Sequence, residues 1–205
     1  MKRPSAWKSR LLAAMVLAAG TAVLLAYGLQ SLGPGLVHQE EIHKSDVLLI
    51  ENFDPDYLLF ERARRLLSDG WARRVVVPVQ VSPNGNRLNA VSKGFVEVMA
   101  GIARIPEPEL IPVREAEPIS LNVARQVRDK LVDEGITSVI VVSPGFRSRR
   151  SFLVWSAVFG PAGIRVSVVP VFGSKTPDNW RETWHGWQEV ILQWLKLLYY
   201  RLAVV

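Results

Sequence analysis

The sequence predicts an α/β domain, with a parallel sheet of about five strands and helices on both faces, preceded by one N-terminal transmembrane helix. From residue 46 onward, short apolar runs alternate with amphipathic stretches. The runs are apolar throughout rather than at every second position, which is typical of strands covered on both faces of a parallel sheet. A segment of 27 residues without any charge, 11–37, comes before them.

Residues 11–32 are predicted to form a transmembrane signal anchor. As an α-helix these 22 residues would extend over ~33 Å, which is enough to cross the hydrocarbon core of a membrane. Basic residues precede the segment and no acidic residue occurs before Glu40, so residues 1–10 are expected to stay in the cytoplasm. We therefore expect a single-pass protein of the cytoplasmic (inner) membrane, with its N-terminus inside and its domain on the periplasmic or extracellular side.

Two alternatives to the anchor are compatible with the sequence. A cleaved signal peptide is one, because Ala26 and Gly28 are small residues of the kind found at cleavage sites. The apolar run is long for a signal peptide and Tyr27 is bulky, so the uncleaved anchor is the favoured interpretation. A buried core helix is the other alternative, and it is disfavoured because helices of soluble domains are seldom uncharged over such a length.

Composition excludes several classes of protein. Hydrophobic residues make up 49% of the 205 residues and charged residues 21%, which excludes a disordered chain. The absence of cysteine excludes disulfides, thiol nucleophiles and cysteine-bound metals. The net charge of +6 resides mostly in four basic residues ahead of residue 11, whereas the other 21 basic residues are nearly balanced by 19 acidic ones. We therefore predict no binding to nucleic acid.

The exported domain is predicted to span residues 46–205, after a linker at residues 33–45. Apolar and β-branched runs predict five strands, at residues 46–50, 74–81, 110–113, 138–142 and 165–171. Amphipathic periodicity predicts helices between them, at residues 57–67, 88–103, 121–134 and 147–159. Gly70 and Gly135 end two of these helices, and a turn is predicted at residues 83–86. This alternation of elements is typical of a Rossmann-like sheet.

A long final helix is predicted over residues 179–202. Its large apolar residues recur at spacings of three and four and form one stripe, at Trp180, Trp184, Trp187, Ile191, Trp194, Leu198 and Leu202. The favoured interpretation is that the stripe covers one face of the sheet up to about Trp194. Residues 195–205 are more apolar than this role requires, so we expect them to contact the outer membrane surface or a partner helix. Lys196 and Arg201 would then meet anionic lipid.

The candidate site residues lie in the loops that follow the strands, because ligands of open parallel sheets bind at the carboxyl ends of the strands. The loop after the fourth strand, residues 143–150, leads into a helix, and the free N–H groups of a first helical turn favour anions. Arg147, Arg149 and Arg150 add positive charge, which predicts a phosphate or carboxylate site with Ser143 as a further ligand. The alternative is that the arginines form a solvated face or pair with nearby acidic residues.

The loop after the third strand supplies carboxylates and polar side chains. Glu117, or its neighbour Glu115, is a candidate general base or ligand carboxylate. Ser120 and Asn122 are candidate ligand contacts, and capping of the next helix is their alternative role.

Other polar residues carry weaker indications. Glu51 and Asp54 follow the first strand, and Asp54 is equally consistent with a helix cap. The histidines, at positions 38, 43 and 185, lack the spacing of metal ligands. We therefore predict no metal and no cofactor.

Four blocks of sequence carry a resemblance to a known family: SDVLLIENF, ERARRLLSDGWARRVVVPV, EAEPISLNVARQVRDKL and VIVVSPGFRSRRSFLVW. In this order, and after a signal anchor, they resemble the SanA/ElyC/YdcF family, which is associated with the cell envelope. The likeness covers about residues 46–175. It implies a parallel α/β fold, a pocket formed by the third and fourth loops, and a role in envelope integrity.

The polar loops match the family pattern only in part. Matches or near matches occur at Glu117, Ser120, Asn122, Ser143, Phe146 and Arg150. Arg147, however, stands where the family has histidine. Arginine does not release a proton near neutral pH, so it cannot replace histidine as an acid–base group, although it can hold an anion bidentately.

Three functions are compatible with these observations. The first is an envelope protein that binds an anionic, phosphate-bearing cell-wall or lipid-linked precursor through Arg147 and Arg150, with an accessory role in envelope biogenesis or integrity. The second is a hydrolase or transferase acting on such a substrate, with Glu117 as general base and the arginines stabilising developing negative charge. The third is a non-catalytic scaffold that acts through protein contacts. The sequence leaves open whether the protein is an enzyme.

Overall fold

Five parallel strands form one sheet at the centre of the domain. The computed structural model describes residues 6–38, 40–53, 56–82 and 87–204. The strands are β1 (Val47–Ile50), β2 (Arg74–Gln80), β3 (Glu109–Val113), β4 (Ser138–Pro144) and β5 (Arg165–Val171). They lie in the order β3-β2-β1-β4-β5, and every neighbouring pair is parallel. The predicted α/β fold with a five-stranded parallel sheet is confirmed. The predicted turn at residues 83–86 and the side chain of Asp54 lie outside the described residues.

The apolar runs form strands that are covered on both faces. All four residues of β1 are buried, as are the central residues of β2 and β4. Successive side chains of a strand point to opposite faces. Val47 and Leu49 accordingly join the hydrophobic core on one face, whereas Leu48 and Ile50 join the core on the other. Burial at every position explains why these runs do not alternate with polar residues.

Four helices cover the two faces of the sheet. On the face of Leu48 and Ile50 lie α2 (Tyr57–Ser68) and α3 (Ala90–Ala103), and on the opposite face lie α4 (Ile119–Asp133) and α5 (Ser148–Phe159). α2 begins after Asp56, which accepts from the N–H of Leu58, and α3 begins after Asn89, which accepts from two N–H groups of its helix. Such caps satisfy N–H groups that have no partner within the helix, so they set where the helix begins.

The strand order creates a crevice between β1 and β4. From β1 the chain proceeds to β2 and β3 on one side, and then crosses to β4 and β5 on the other. The loops that follow β1 and β4 therefore diverge, and sheets of this kind bind ligands in the opening between such loops.

Helix α1 (Ala6–Gly35) contains the segment predicted to be an anchor. Its described side chains at residues 10–21 and 27–31 are exposed. Within the part of the chain that the structure describes, no helix is both long enough and apolar enough to cross a membrane. Leu36 and Val37 follow α1 and are buried in a cluster with Trp180, although both fall within the predicted linker.

The C-terminal segment is not the single helix that the sequence predicts. It consists of a 3₁₀ turn (Trp180–Glu182), α6 (Trp184–Tyr199) and a π-helical end (Tyr200–Val204). The buried residues of α6 are Gly186, Val190, Gln193 and Leu197. Trp184, Ile191 and Leu198, which belong to the predicted stripe, are exposed. The face that packs is therefore rotated away from the centre of the stripe.

The prediction that α6 covers the sheet is wrong. The buried side of α6 joins a third hydrophobic cluster, separate from the two cores of the sheet, which includes Leu36, Val37 and Phe146. The indole Nε1 of Trp194 donates to the carbonyl oxygen of Leu32 at 2.9 Å. The helix thus packs on the end of α1 and on the turn before α5. The spacing predicted an amphipathic helix correctly, but spacing does not specify which surface the helix covers.

Candidate functional site

A buried carboxyl group lies where β1 and β4 end. Glu51 directly follows β1 and is 1% exposed. Its Oε2 accepts hydrogen bonds from Ser143 Oγ (2.5 Å) and Ser151 Oγ (2.7 Å), and its Oε1 accepts one from Nε1 of Trp155 (2.6 Å). These bonds join the first strand to the fourth strand and to α5. They therefore fix the position of the loop after β4.

A cavity, here called the sheet-edge cavity, lies at the carboxyl ends of the strands. Its volume is about 420 Å³. Its lining comes from the segments after β1, β3 and β4, from the end of β2, and from the C-terminal segment: Phe53, Gln80, Glu115, Glu117, Ile119, Ser120, Arg147, Arg150, Lys196, Tyr199 and Tyr200. The volume falls within the usual range for small-ligand sites. Three cationic and two acidic side chains line a space that several loops build together.

Arg147 reaches this cavity from a tightly packed turn. It ends the 3₁₀ turn Gly145–Arg147 between β4 and α5, and it is 8% exposed. A Cβ atom on Gly145 would lie 2.1 Å from the ring of Phe172, and Phe146 meets the same ring edge to face. Either the turn or the ring of Phe172 would have to shift to admit a side chain at position 145.

Arg150 connects three helices at the wall of the cavity. Its Nη1 donates to Ser120 Oγ (3.1 Å) and its Nη2 to Gln193 Oε1 (3.4 Å). Its guanidinium group lies 5.3 Å from the ring centroid of Tyr200, whose hydroxyl oxygen accepts from the N–H of Ser120 at 3.2 Å. These contacts join α4, α5 and the end of α6, and they fix the orientation of the guanidinium plane.

The two carboxylates of the cavity lie at its rim. Glu115 and Glu117 are exposed, and Oε2 of Glu117 accepts from the N–H of Ile119 at 3.3 Å. The side-chain amide of Asn122 donates to the carbonyl oxygens of Ala116 and Glu117, both at 2.9 Å. Asn122 therefore holds the shape of the rim loop from behind.

The structure brings most of the predicted site residues together. Those that line the sheet-edge cavity are Glu117, Ser120, Arg147 and Arg150. Ser143 and Asn122 do not line it: Ser143 is bonded to Glu51 beneath the loop, and Asn122 bonds the backbone. The alternative in which Ser120 or Asn122 caps α4 is wrong, because Pro118 occupies the N-cap position and the N–H of Ile119 donates to Glu117 instead.

The roles of several residues at the site were not predicted from the sequence, which indicated lipid contact for Lys196 and only a weak candidate carboxylate at Glu51. Lys196, Tyr199 and Tyr200 line the cavity because α6 packs against the turn before α5. No local pattern predicts this, since it depends on a contact between distant segments. Glu51 did have a signal, because an acidic residue directly after a fully apolar strand is placed beside the core. The partners that satisfy it are remote in sequence and could not be identified.

The shifted pKa values belong to groups at the opposite, amino edge of the sheet. Asp46 precedes β1, and the hydrogen bond from the N–H of Thr137 is the main reason why the pKa of Asp46 is lowered. Hydrogen bonds from Lys130 and then Arg74 lower the pKa of Glu134. These groups connect the beginnings of strands and helix ends, so they contribute to stability and not to the cavity.

The chemical character of the sheet-edge cavity is given by the residues that line it. Among the described residues, no group of three or more His, Asp or Glu side chains could hold a metal ion. No protein-family model matches the sequence, and no curated protein matches it. The chemical character of the cavity follows from two buried guanidinium groups, an ammonium group and a carboxylate rim, placed at the switch point of a parallel sheet.

Proposed function

We propose that this protein binds a phosphate-bearing ligand, a cell-wall or lipid-linked precursor, in the sheet-edge cavity, and that it has an accessory role in the cell envelope. The observation that carries the proposal is the placement of Arg147 and Arg150, which are 8% and 7% exposed and yet line an open cavity. Charge–charge attraction is stronger where water is largely excluded, and a guanidinium group matches phosphate bidentately. An anion is therefore the ligand that this site favours.

The rest of the lining supports a ligand with a polar group beside the phosphate. Tyr199 is 51% exposed at the cavity and offers a ring face for a sugar. Glu115 and Glu117 accept hydrogen bonds and would meet hydroxyl or amide groups at the rim. Lys196 adds a third cation to the lining.

We also propose membership of the SanA/ElyC/YdcF family. The support is that the matching positions of two separate loops, Glu117 and Ser120 in one and Arg150 in the other, line one cavity. Positions that match a family pattern are expected to converge in this way when they form a binding site.

Anchoring in the cytoplasmic membrane, with the domain outside, remains part of the proposal. It is supported by the charge-free segment 11–37, the basic residues before it, and the exposure of the described side chains of α1 at residues 10–21. Extraction of membranes with alkaline carbonate tests it, because an anchored chain stays in the pellet. Sequencing of the N-terminus of the mature protein separates an anchor from a cleaved signal peptide.

The binding proposal is tested by calorimetric titration of the full chain, in a polyoxyethylene detergent, with phosphorylated cell-wall precursors and with the same compounds after removal of phosphate. Arg147→Gln and Arg150→Gln should each weaken binding about tenfold or more. Arg165→Gln is the matched control, because Arg165 is exposed and does not line the sheet-edge cavity. Equal binding of dephosphorylated compounds, or unchanged binding by both variants, would contradict the proposal.

A second function, a hydrolase or transferase, is favoured by one observation. Glu117 shares the cavity with both arginines, so a general base and groups that stabilise negative charge face the same ligand. In that case Glu117→Gln should abolish turnover of a phosphorylated precursor while calorimetry still detects binding. Binding without turnover in the unaltered chain favours the accessory role, and the absence of both favours a scaffold.

A further inference from the structure

A second concave surface, here called the helix groove, lies between α1, α5 and α6. Its volume is about 870 Å³, and it is lined by Pro34, Val37, His38, Arg149, Phe152, Leu153, Ser156, Ala157, Leu197 and Arg201. None of these residues belongs to the lining of the sheet-edge cavity. The two sites lie on different sides of α6, because Lys196 and Tyr200 line one whereas Leu197 and Arg201 line the other.

The floor of the helix groove is apolar. Val37 and Leu197 are 3% and 5% exposed, and Leu153 packs against the same cluster. Phe152 stacks on the ring of His38, with centroids 3.8 Å apart and planes 13° from parallel. The stacked rings make a flat wall, so the groove matches an extended hydrocarbon chain.

The charged side chains of the helix groove are chiefly cationic. Arg149 and Arg201 are exposed at the groove, and none of the described residues that line it is acidic; Glu40 lies outside this lining, where its Oε2 contacts Nε2 of His38 at 2.9 Å. Arg149 is held in place because its backbone N–H donates to the carbonyl oxygen of Leu36 (3.1 Å) and its Nη2 to that of Val37 (3.0 Å). A guanidinium group oriented over an apolar floor is suited to an anionic head that is attached to an apolar chain.

We propose that the helix groove binds one chain and the anionic head of a membrane lipid, with the carboxylate or phosphate on Arg149 and Arg201 and the chain along Phe152, Leu153 and Leu197. The membrane as source rests on the proposed anchoring, because α1 ends at Gly35 directly beside the groove. The site shares no lining residue with the sheet-edge cavity, so binding at each can be tested separately.

The test uses the full chain in nanodiscs of phosphatidylcholine that contain hexadecyl phosphate with a photoreactive diazirine in its chain. After irradiation, mass spectrometry should find the adduct on the tryptic peptide 151–165, which includes Phe152 and Ala157. Arg149→Gln combined with Arg201→Gln should reduce this adduct about tenfold. Arg165→Gln, at an exposed arginine outside the groove, should not reduce the adduct. This substitution removes the tryptic cleavage after residue 165, so the correspondingly longer peptide is the one compared.

A filling variant separates the groove from general contact with lipid. Ala157→Trp should prevent the adduct because it occupies the groove, whereas Ala162→Trp, at another exposed alanine, should not. Inorganic phosphate should not compete, whereas unlabelled hexadecyl phosphate should. Equal labelling by a diazirine-bearing hexadecanol, or labelling that survives Ala157→Trp, would overturn the proposal. A chain that does not enter nanodiscs would overturn both this proposal and the anchoring, while leaving the sheet-edge cavity unaffected.

Discussion

At the scale of single residues, the group with the largest expected effect on stability is Glu51. Its carboxyl oxygens accept from Ser143, Ser151 and Trp155 in a region without access to water. Removal of a buried acceptor leaves its donors unsatisfied, at about 1–3 kcal/mol for each group. We expect Glu51→Ala to lower the free energy of unfolding by about 3 kcal/mol or more.

Urea denaturation followed by tryptophan fluorescence measures this loss. Glu182→Ala is the control, because Glu182 is exposed on the 3₁₀ turn before α6. Its effect should stay within about 0.5 kcal/mol. Similar stability of the two variants would show that the Glu51 network adds little.

Asp46 gives a prediction about pH. Its Oδ2 accepts four hydrogen bonds, from the N–H and hydroxyl groups of Thr137 and Ser138. The pKa of Asp46 in the folded chain is lowered below its ordinary value of 3.8, chiefly by the N–H of Thr137. Because the folded pKa is the lower one, this contribution to stability is present above the ordinary pKa and is lost as the pH falls through the folded pKa.

We therefore expect Asp46→Asn to reduce the pH dependence of the free energy of unfolding below about pH 4. Urea midpoints measured between pH 5 and pH 3 provide the comparison. Asp133→Asn, an exposed carboxylate at the end of α4, should retain the pH dependence of the unaltered chain. An identical slope for Asp46→Asn and the unaltered chain would argue against this role.

The residue types in the loops located the cavity correctly, but they did not assign the role of each side chain. The rule that ligands bind at the carboxyl ends of parallel strands located Glu117, Ser120, Arg147 and Arg150 correctly at one edge. The rule does not say which side chains point inward. Ser143 and Asn122 have their partners in remote loops and in the backbone, and only the folded chain brings those partners together.

At the scale of elements, the contact between the 3₁₀ turn and α6 requires glycine. A Cβ atom on Gly186 would lie 1.9 Å from the carbonyl oxygen of Trp180, a backbone atom, so rotation of a flexible side chain cannot relieve the clash. We expect Gly186→Ala to lower the free energy of unfolding by about 2 kcal/mol or more. Gly94→Ala in α3, where a Cβ atom meets nothing within 4 Å, should instead raise it by roughly 0.5–1 kcal/mol.

Thermal denaturation of the two glycine variants distinguishes steric conflict from helix propensity, because propensity alone would stabilise both.

Strands and sheet-covering helices were predicted well, since burial on both faces and period 3.6 are local signals. The surface covered by α6 was not predicted, because the apolar side of α6 packs on Leu36 and Val37 instead of on the sheet. Local periodicity contains no information on that choice.

At the scale of the whole molecule, the end of α6 lies beside the end of α1. Trp194 bonds the carbonyl oxygen of Leu32, and a Cβ atom on Gly35 would lie 2.8 Å from the same indole ring. Beyond this contact the helix exposes Leu195 (60%), Leu198 (44%) and Leu202 (81%). If α1 anchors the chain, these residues lie near the membrane, so we propose that the exposed side of the segment 195–205 contacts its outer surface.

Vesicle binding tests this contact. Truncation of the helix is unsuitable because Leu197 and Tyr200 are buried and Tyr200 supports Ser120, so exposed positions are changed instead.

A chain lacking residues 1–31 should bind anionic vesicles at low salt, and less so at high salt because lipid charges are screened. Leu198→Gln combined with Leu202→Gln should reduce binding about tenfold, since each change removes roughly 1 kcal/mol or more of apolar burial in lipid. Val91→Gln combined with Val98→Gln, at two exposed valines of α3, should leave binding unchanged. Failure of the truncated chain to bind vesicles at low salt would rule out the surface contact. An equal loss of vesicle binding in the two double variants would show that binding does not depend specifically on Leu198 and Leu202.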